Sequence, residues 1–428
     1  MSYYLLTLGC PKNVADSTRL ERSFREAGQS PTSARRAGLL IVNTCAFIDQ
    51  AKEESINAIL KLALKKKSGQ MLVVIGCLPH LYRKELLAEV PEIDHIFGVE
   101  SWPKVPAVGE GLDNREAVSS PALERRVSAY LKIADGCNAR CSFCVIPKIK
   151  GRLRSQPPDA VVEEAKRLEA EGARELVLVA QDSTAYGRDL DMEDGLAALL
   201  ERLAADLPDV AWLRVMYAYP GRLSNRLLST MAESPQVCNY LDIPLQHSSP
   251  AVLQRMRRPH DSSQTRRMLE RLRESMPDIA LRTTFLVGFP GETEQDFQHL
   301  LAFVRETKFD HVGAFMFSPQ EATPAARMPD QVTDRVKRRR YRELMRVARE
   351  TSLERNRAWV GREMTVLVES QADVERNGKA MFVGRTYRDA PEIDGLVFCK
   401  GNACAGDPRR VRIVDAMPYD LLAEAAGD

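Results

Sequence analysis

The sequence has no run of about 18 consecutive apolar residues, the length that a membrane-spanning helix requires. Its first residues also lack the basic segment and the small-residue cleavage site of a secretory signal. We therefore expect no membrane partner and a cytoplasmic location. A strong net charge is missing as well, because 61 basic residues balance 59 acidic ones to give +2. The chain as a whole is thus not expected to attract nucleic acid or an acidic membrane surface.

The nine cysteines do not form the pattern of a disulfide framework, because they are odd in number and spread over 428 residues. Such frameworks belong to short secreted chains with paired cysteines. Reduced thiols or metal ligands are expected instead. The length exceeds what one hydrophobic core usually organises, and about 150 residues per domain suggests roughly three domains.

The first 120 residues read as a small α/β domain. Three short apolar runs, at 3–8, 39–42 and 71–75, are each too short for a helix and are followed by helix-forming sequence. This alternation predicts buried parallel strands with helices between them. Residues 102–126 are broken by proline and glycine, as expected of a linker.

Residues 125–358 contain six strand candidates that alternate with helical segments, at 129–134, 175–180, 212–217, 240–244, 280–287 and 311–317. Six β/α units predict an open barrel related to the eight-fold one. From residue 360 to 428, short alternating runs such as MTVLVES, KAMFVGRTY and DGLVFCK are punctuated by Gly and Asp. They predict a small antiparallel β-barrel.

Cys137, Cys141 and Cys144 form a CxxxCxxC motif directly after the first predicted barrel strand. Three thiolates satisfy three irons of a four-iron cluster and leave one iron open, whereas electron-transfer clusters normally take four cysteines. The first βα loop is also where active sites of such barrels lie. The alternatives are three free thiols or a zinc site, but zinc needs a fourth ligand and no histidine follows at finger spacing.

A second set of cysteines follows the three predicted strands of the N-terminal domain, with Cys10, Cys45 and Cys77 each at a strand end. Parallel strands place their carboxyl ends at one edge of the sheet, where ligands bind. The sequence therefore predicts a second three-thiolate cluster. Taken singly, each of these could be a buried cysteine that packs as a small hydrophobe, and a structural zinc site with a distant fourth ligand is the other alternative. Cys238, Cys399 and Cys404 match no ligand pattern.

The CxxxCxxC motif, with Phe143 before its last cysteine, resembles the radical S-adenosylmethionine superfamily. The resemblance implies that the three cysteines hold a 4Fe-4S cluster whose open iron binds S-adenosylmethionine. Reductive cleavage then yields a deoxyadenosyl radical that abstracts hydrogen from an unactivated carbon. A low-potential electron donor such as flavodoxin or ferredoxin is implied.

Both triads together resemble the methylthiotransferases, with an N-terminal methylthiotransferase domain, a radical barrel and a C-terminal TRAM-like barrel. Several short sequence motifs are similar to those of the RimO type: GCPKNVADS, NTCAFIDQAKEES, GCNARCSFCVIPKIKGRLRS, AQDSTAYG, LDIPLQHSS, VGFPGETE and DAPEIDG. Ala46 and Thr18 depart from the pattern, which has Gly and Glu there. The resemblance implies two 4Fe-4S clusters and methylthiolation of an aspartate β-carbon in small-subunit ribosomal protein number twelve.

The alternative is the MiaB type, which modifies an adenosine in transfer RNA. Residues 361–428 hold nine basic and twelve acidic residues, a net charge of −3. A domain that grips a phosphate backbone should be basic. The acidic last domain therefore favours a basic protein substrate over RNA.

Polar residues at other barrel strand ends are expected to contact S-adenosylmethionine. These are Gln181, Gln246, Arg282 and Thr284, with Asp182 and His247 beside them. Helix capping is the alternative for Asp182, and a satisfied core polar group is the alternative for His247. The glycine-rich segment 288–292 predicts a tight turn, and Thr293 with Asp296 predicts a capping box at the start of the next helix. No catalytic side chain is expected beyond the cluster ligands.

Overall fold

A computed structural model describes residues 2–99, 101, 104–108, 126–258, 262–376 and 379–426, without the side chains of 372–376 and 379. The described residues form two compact units. One comprises Met1–Glu124, Asp135–Ala139 and Cys144–Arg152, and the other comprises Arg125–Ala134, Arg140–Phe143 and Leu153–Asp428. Most of the predicted linker at 102–126 lies outside the described residues, and the predicted domain boundaries stay predictions. No described helix is both long and apolar enough to cross a bilayer.

The elements up to residue 108 alternate between strands and helices. They are β1 (Ser2–Thr7), α1 (Pro11–Glu26), β2 (Ser30–Pro31), β3 (Leu39–Thr44), α2 (Asp49–Ala63), β4 (Met71–Gly76), α3 (Cys77–Leu81), α4 (Arg83–Glu89), β5 (His95–Phe97) and α5 (Val105–Val108).

The strands of this first unit form one parallel sheet in the order β2-β1-β3-β4-β5. Strand β3 is buried along its whole length because both faces of the sheet are covered. Helix α1 begins with Pro11, which suits the first helical position since its missing N–H has no partner there anyway. The three predicted strands are confirmed. The short edge strands β2 and β5 have too few residues to give a pattern in the sequence.

The remaining elements follow in chain order. They are β6 (Ser128–Lys132), β7 (Ala134–Asp135), α6 (Ile146–Ile149), β8 (Arg154–Ser155), α7 (Pro158–Ala170), β9 (Glu175–Val179), α8 (Gly195–Asp206), β10 (Trp212–Val215), α9 (Asn225–Glu233), β11 (Val237–Asp242), α10 (Pro250–Arg255), α11 (Ser262–Ser275), β12 (Ala280–Val287), α12 (Glu294–Thr307), β13 (His311–Met316), α13 (Asp334–Arg357), β14 (Glu363–Arg376), β15 (Lys379–Arg385), β16 (Val397–Lys400), β17 (Pro408–Ala416) and β18 (Leu421–Ala425).

Six parallel strands of the second unit form an open sheet in the order β13-β12-β11-β10-β9-β6. Its strands occur in sequence order from one edge to the other, as a (β/α)6 arrangement requires. Leu131, Leu176, Leu213 and Leu281 belong to the large core cluster that also contains residues of the surrounding helices. The predicted open barrel of six units is thus confirmed.

The last five strands form a closed barrel in the order β14-β15-β16-β18-β17. A small apolar core, with Val366, Val368 and Val411 among its members, fills it. Four of its pairings are antiparallel, but β16 and β18 run parallel. The prediction of an antiparallel barrel is therefore right for most of the pairings, and the parallel pair is a departure that alternating hydrophobicity cannot reveal.

Buried ion pairs join the small barrel to the six-stranded sheet. Glu175, the first residue of β9, accepts hydrogen bonds from Arg214 Nε, Arg385 Nη2 and Ser128 Oγ, each at 2.6 Å. Arg214 also donates to the carbonyl oxygen of Tyr387. Burial alone would raise the pKa of Glu175, but the charges of Arg385 and Arg214 and their hydrogen bonds lower it to about 2.

A second group of pairs centres on Asp394, in the segment between β15 and β16. Its carboxylate accepts hydrogen bonds from Tyr240 Oη at 2.7 Å and from Arg282 Nε at 3.3 Å, and His311 Nδ1 lies 3.7 Å away. Arg282 also donates to Asp242 Oδ1 at 2.8 Å. The DAPEIDG segment, which carries part of the family resemblance, therefore supplies a buried acid that contacts residues of β11, β12 and β13.

We predict that Glu175→Gln lowers the free energy of unfolding by about 3–5 kcal/mol, because it leaves the buried Arg214 without its anion and Arg385 with Glu369 as its remaining anion. Urea denaturation followed by circular dichroism measures the change. The pKa of Glu175 is lowered in the folded state from 4.5 to about 2, so its contribution is present above pH 4.5 and is lost as the pH falls towards 2. The difference between wild type and variant should shrink over that interval.

The matched control is Glu306→Gln, because Glu306 pairs with Arg266 at 2.6 Å on the surface, with side chains 59% and 36% exposed. Exposed pairs contribute about 0–1 kcal/mol. Equal destabilisation by the two substitutions would contradict the assigned role of Glu175.

Candidate functional site

Three cysteines lie at the ends of neighbouring parallel strands in the first unit. Cys10 precedes α1 after the end of β1, Cys45 directly follows β3, and Cys77 is the first residue of α3 after β4. Cys45 and Cys77 are buried, with 7% and 8% of their surfaces exposed, and Cys10 is half-buried. Strands β1, β3 and β4 are neighbours in the sheet, so the three cysteines lie at one edge of it, and a Cβ on Gly9, next to Cys10, would lie only 2.5 Å from Cys45 Cβ. The structure thus brings the three predicted ligands together.

Two glycines allow the cysteine-bearing turns to approach each other. Gly9 and Gly76 have φ angles of +94° and +102°, in the region that favours glycine. A Cβ on Gly9 would lie 2.5 Å from Cys45 Cβ and 3.0 Å from its Sγ. A Cβ on Gly76 would lie 2.6 Å from the carbonyl oxygen of Thr44. Any larger residue at these positions must displace the turn that carries Cys45.

Hydrogen bonds fix the same turns. Asn13 Nδ2 donates to the carbonyl oxygens of Leu8 at 2.8 Å and of Thr44 at 3.1 Å, which links the ends of β1 and β3. Ser55 Oγ accepts from the backbone N–H of Cys45 and donates to its carbonyl oxygen. Buried polar groups with satisfied partners make such a region rigid. The positions of Cys10 and Cys45 are therefore set by the fold itself.

Burial favours the protonated form of the Cys45 and Cys77 thiols. It raises the pKa of Cys77 to about 12, an effect that Lys150 opposes, and it also raises the pKa of Cys45. Thiolates are the form that binds metal, so ligation at this site must release protons and supply positive charge in their place.

No group of three or more His, Cys, Asp or Glu side chains within the described residues is arranged to hold a single metal ion. A closed zinc site needs four donors around one ion, at about 2.0–2.3 Å from it. A four-iron cluster is held differently, because each thiolate bonds to a different iron. Three strand-end thiols are a donor set that fits a cluster of this kind.

The other cysteine triad, Cys137, Cys141 and Cys144, lies on the loop between β7 and α6. All three cysteines are half-buried. The backbone N–H of Cys137 donates to the carbonyl oxygen of Gly151 at 3.1 Å. The loop follows β6, the first strand of the six-stranded sheet, and the short strand β7, in agreement with the position predicted from the sequence.

Two residues between these cysteines, Ser142 and Phe143, pack within the second unit. Ser142 Oγ donates a hydrogen bond to the carbonyl oxygen of Arg255 at 2.7 Å. The backbone N–H of Ser142 donates to the carbonyl oxygen of Met256 at 3.1 Å. Phe143 packs edge-on against Phe289, with ring centroids 6.4 Å apart. The aromatic residue before the last cysteine thus holds the loop against an apolar cluster.

The residues expected to contact S-adenosylmethionine lie on or after strands of the six-stranded sheet. The backbone N–H of Gln246 donates to the carbonyl oxygen of Thr284 at 2.9 Å, and Arg282 Nη1 donates to Thr284 Oγ1 at 3.2 Å. Gln181 follows β9, on the far side of β10 from these three. Arg282 is also engaged by Asp242 and Asp394, which gives it a structural role. Assignment of the four to the cofactor stays a prediction.

The segment after β12 forms the predicted turn and cap. Thr293 Oγ1 accepts from the backbone N–H of Asp296, whose carboxylate accepts from that of Thr293, so the capping box is confirmed. Glu292 Oε2 accepts from the backbone N–H groups of Gly288 and Phe289. His247 Nε2 faces Glu292 Oε1 at 3.6 Å with both side chains fully buried.

Three family models match the chain. The radical SAM superfamily matches residues 131–304, the uncharacterized protein family UPF0004 matches 2–98, and the TRAM domain matches 360–426.

Curated relatives match over nearly the whole length. A ribosomal protein uS12 methylthiotransferase RimO from Roseiflexus sp. (strain RS-1) is 44% identical over 459 residues, covering 99% of this chain and 97% of the relative. The protein of the same name from Geobacter sulfurreducens is 44% identical over 439 residues, covering 98% and 97%. The chain belongs to the RimO family of radical SAM methylthiotransferases. The resemblance seen in the sequence words is thereby confirmed.

Solved structures share the fold of this RimO family member. The radical S-adenosylmethionine methyltransferase TsrM from Kitasatospora setae superposes with a TM-score of 0.57 at 15% identity, covering 76% of this chain and 77% of its own. The cobalamin-dependent radical enzyme OxsB gives a TM-score of 0.50 at 12% identity, covering 82% and 56%. As a radical SAM protein, the chain uses an iron-sulfur cluster and S-adenosylmethionine.

The sequence did not predict the charged residues that lie near the strand-end cysteines. Lys150, Asp16 and Asp135 are distant in the sequence and lie on polar stretches, yet the fold buries Lys150 and Asp16 in the first unit. The word IPKIKG after Cys144 contains this lysine, but nothing in its spacing shows that the side chain is buried.

We predict that Gly9→Ala reduces the iron bound at Cys10, Cys45 and Cys77, because the new methyl group displaces Cys45. The measurement is iron and sulfide per chain in a variant whose Cys137, Cys141 and Cys144 are replaced by alanine. Gly28→Ala is the matched control, since Gly28 has a φ of +71° but no neighbouring atom within 4 Å of the position that a Cβ would take. The control shares the backbone strain, about 1–2 kcal/mol, without the clash. Equal iron loss in both variants would contradict the proposed packing constraint.

Proposed function

We propose that this enzyme transfers a methylthio group to the β-carbon of an aspartate in ribosomal protein uS12. Relatives 44% identical over nearly the full chain carry the name of that activity. Two separate cysteine triads are available to hold iron-sulfur clusters. One lies at the strand ends of the N-terminal sheet, and the other lies on the loop between β7 and α6. The single structural observation that carries the proposal is the placement of Cys10, Cys45 and Cys77 at one edge of the N-terminal sheet.

Cys137, Cys141 and Cys144 are the proposed ligands of the radical-site 4Fe-4S cluster. Three thiolates leave one iron open for S-adenosylmethionine, and their partial exposure suits that access. Cys10, Cys45 and Cys77 are the proposed ligands of an auxiliary 4Fe-4S cluster. When bound, the first cluster supplies the electron that cleaves S-adenosylmethionine, and the second carries the sulfur that is transferred.

The chain's own residues position these groups. Ser142 and Phe143 hold the radical-site loop in place through backbone hydrogen bonds and an aromatic contact. Asn13 and Ser55 hold the turns that bear Cys10 and Cys45. Burial of Cys45 and its surroundings excludes water from the sulfur-bearing site, which protects a reactive sulfur from side reactions.

The C-terminal barrel supports a protein substrate over a nucleic acid. Each of its basic side chains that the structure describes is either buried or faces a carboxylate. Arg385 and Arg388 are buried, Arg362 faces Asp278 at 3.7 Å, Lys400 faces Glu424 at 2.7 Å, Arg409 faces Asp407 at 3.0 Å, and Arg410 and Arg412 face Glu363 at 3.1 Å. The carboxylates beside these cations lower the local positive potential that would attract a phosphate backbone. The net charge of −3 in residues 361–428 complements a basic ribosomal protein instead.

The remaining partners follow from the chemistry. Reductive cleavage requires a low-potential electron donor such as flavodoxin or ferredoxin, and action on a ribosomal protein places the enzyme in the cytoplasm. The substrate is either free uS12 or uS12 in the assembled small subunit.

We predict that replacing Cys137, Cys141 and Cys144 by alanine removes roughly half of the iron, since one of two four-iron clusters remains. The reciprocal variant of Cys10, Cys45 and Cys77 should lose the other half. Iron and sulfide are quantified after anaerobic reconstitution, with Cys404→Ala as a control that keeps all of the iron because Cys404 is an exposed thiol without a ligand pattern. Complete loss in either triple variant, or no loss, would count against two independent clusters.

We predict that the reconstituted enzyme, given S-adenosylmethionine, sulfide and reductant, modifies uS12 and leaves transfer RNA unmodified. Mass spectrometry of the protein and of the digested RNA measures both products. A uS12 variant with the target aspartate changed to alanine is the control and should gain no methylthio group. A methylthio group found on the nucleoside alone would overturn the assignment in favour of a transfer-RNA methylthiotransferase.

A further inference from the structure

Lys150 is a buried cation in the first unit, directly after α6. Its side chain is 5% exposed, and its Nζ lies 3.5 Å from Asp135 Oδ1 and 3.8 Å from Asp16 Oδ2. Asp16 is itself buried on α1, six residues after Cys10. A buried ammonium group is costly unless anions surround it. The cost of burying this ammonium group suggests that its charge has a role in this unit.

The two carboxylates do not close around the ammonium group. Charge-assisted hydrogen bonds between an ammonium and a carboxylate usually span about 2.7–2.9 Å, whereas both distances here are longer. The ammonium also lies near the strand-end cysteines, because Asp16 is on the helix that Cys10 precedes, and α6, which Lys150 follows, contacts α3, whose first residue is Cys77. It is thus placed among four potential anions, two carboxylates and two thiolates.

The positive charge of Lys150 favours the thiolate form of Cys77. Burial raises the pKa of Cys77, and Lys150 is the largest opposing influence on it. Burial alone would lower the pKa of Lys150, but Asp135 and Asp16 raise it, so the group carries its charge at neutral pH. A positive charge held beside a thiolate-ligated cluster stabilises the added electron when the cluster is reduced, because net charge and nearby dipoles set such potentials.

We propose that Lys150 is a positioning residue for the auxiliary site, supplying the positive charge that balances a cluster on Cys10, Cys45 and Cys77 and raising its reduction potential. Asp16 and Asp135 hold the ammonium in place and limit its effect. The inference deepens the proposed function and rests on it, because it presumes a cluster at these cysteines.

The test uses the full chain with Cys137, Cys141 and Cys144 replaced by alanine, so that only the auxiliary site binds iron. Redox titration followed by electron paramagnetic resonance gives the midpoint potential, and iron and sulfide are quantified on the same samples. Lys150→Gln should lower the potential and Asp135→Asn should raise it. Lys150→Arg keeps the charge and should retain a potential close to that of the parent.

Opposite shifts from the two neutral substitutions identify a charge effect, since a merely structural disturbance has no reason to depend on the sign of the charge removed. If Lys150→Gln fails to retain a cluster while Lys150→Arg retains one, the charge is required for retention and the proposal stands. Unchanged potentials, shifts in the same direction, or cluster loss in both lysine variants would overturn it. A parent variant that binds no iron with Lys150 intact would instead overturn the auxiliary cluster and, with it, this inference.

Discussion

Gathering three cysteines at one edge of a parallel sheet is the constraint on which the N-terminal unit depends. The neighbouring strands β1, β3 and β4 end together, so Cys10, Cys45 and Cys77 converge although they are far apart in the sequence. Close approach of the turns is possible because Gly9 has no side chain, and the turns stay in place because Asn13 bonds to two of them. Parallel sheets with covered faces bury the strand ends more deeply than a surface loop could.

The second unit also buries charged groups, and there each charge is balanced by protein side chains of opposite charge. Glu175 between two arginines, and Asp394 among Tyr240, Arg282 and His311, place paired charges inside the open sheet. These pairs join the C-terminal barrel to the sheet. They also engage Arg282, which the sequence analysis predicts to contact S-adenosylmethionine. A buried pair costs desolvation and is retained where it specifies one arrangement of parts. Here that arrangement is the docking of the small barrel.

Much of the architecture could be predicted from the sequence because hydrophobic periodicity reports burial directly. The six barrel strands and the three long N-terminal strands each contain enough apolar residues to give a pattern. The two-residue strand Ser30–Pro31 and the parallel pairing of β16 with β18 depend on contacts between distant segments, so no local pattern carries them. Cysteine spacing indicated one triad, and position at the ends of predicted strands indicated the other. Lys150 was missed because the sequence around a lone lysine is the same whether its side chain is solvated or buried.

We propose that two sites divide the reaction between them, one generating a radical and the other delivering sulfur. The most direct measurement supplies uS12 with deuterium at the aspartate β-carbon and follows both deoxyadenosine and the methylthio product. The intact enzyme should transfer deuterium into deoxyadenosine and add the methylthio group to the same aspartate. A variant with Cys10, Cys45 and Cys77 replaced by alanine should still produce deoxyadenosine but no methylthiolated aspartate. Methylthiolation by that variant, or deoxyadenosine without deuterium from the intact enzyme, would contradict the account.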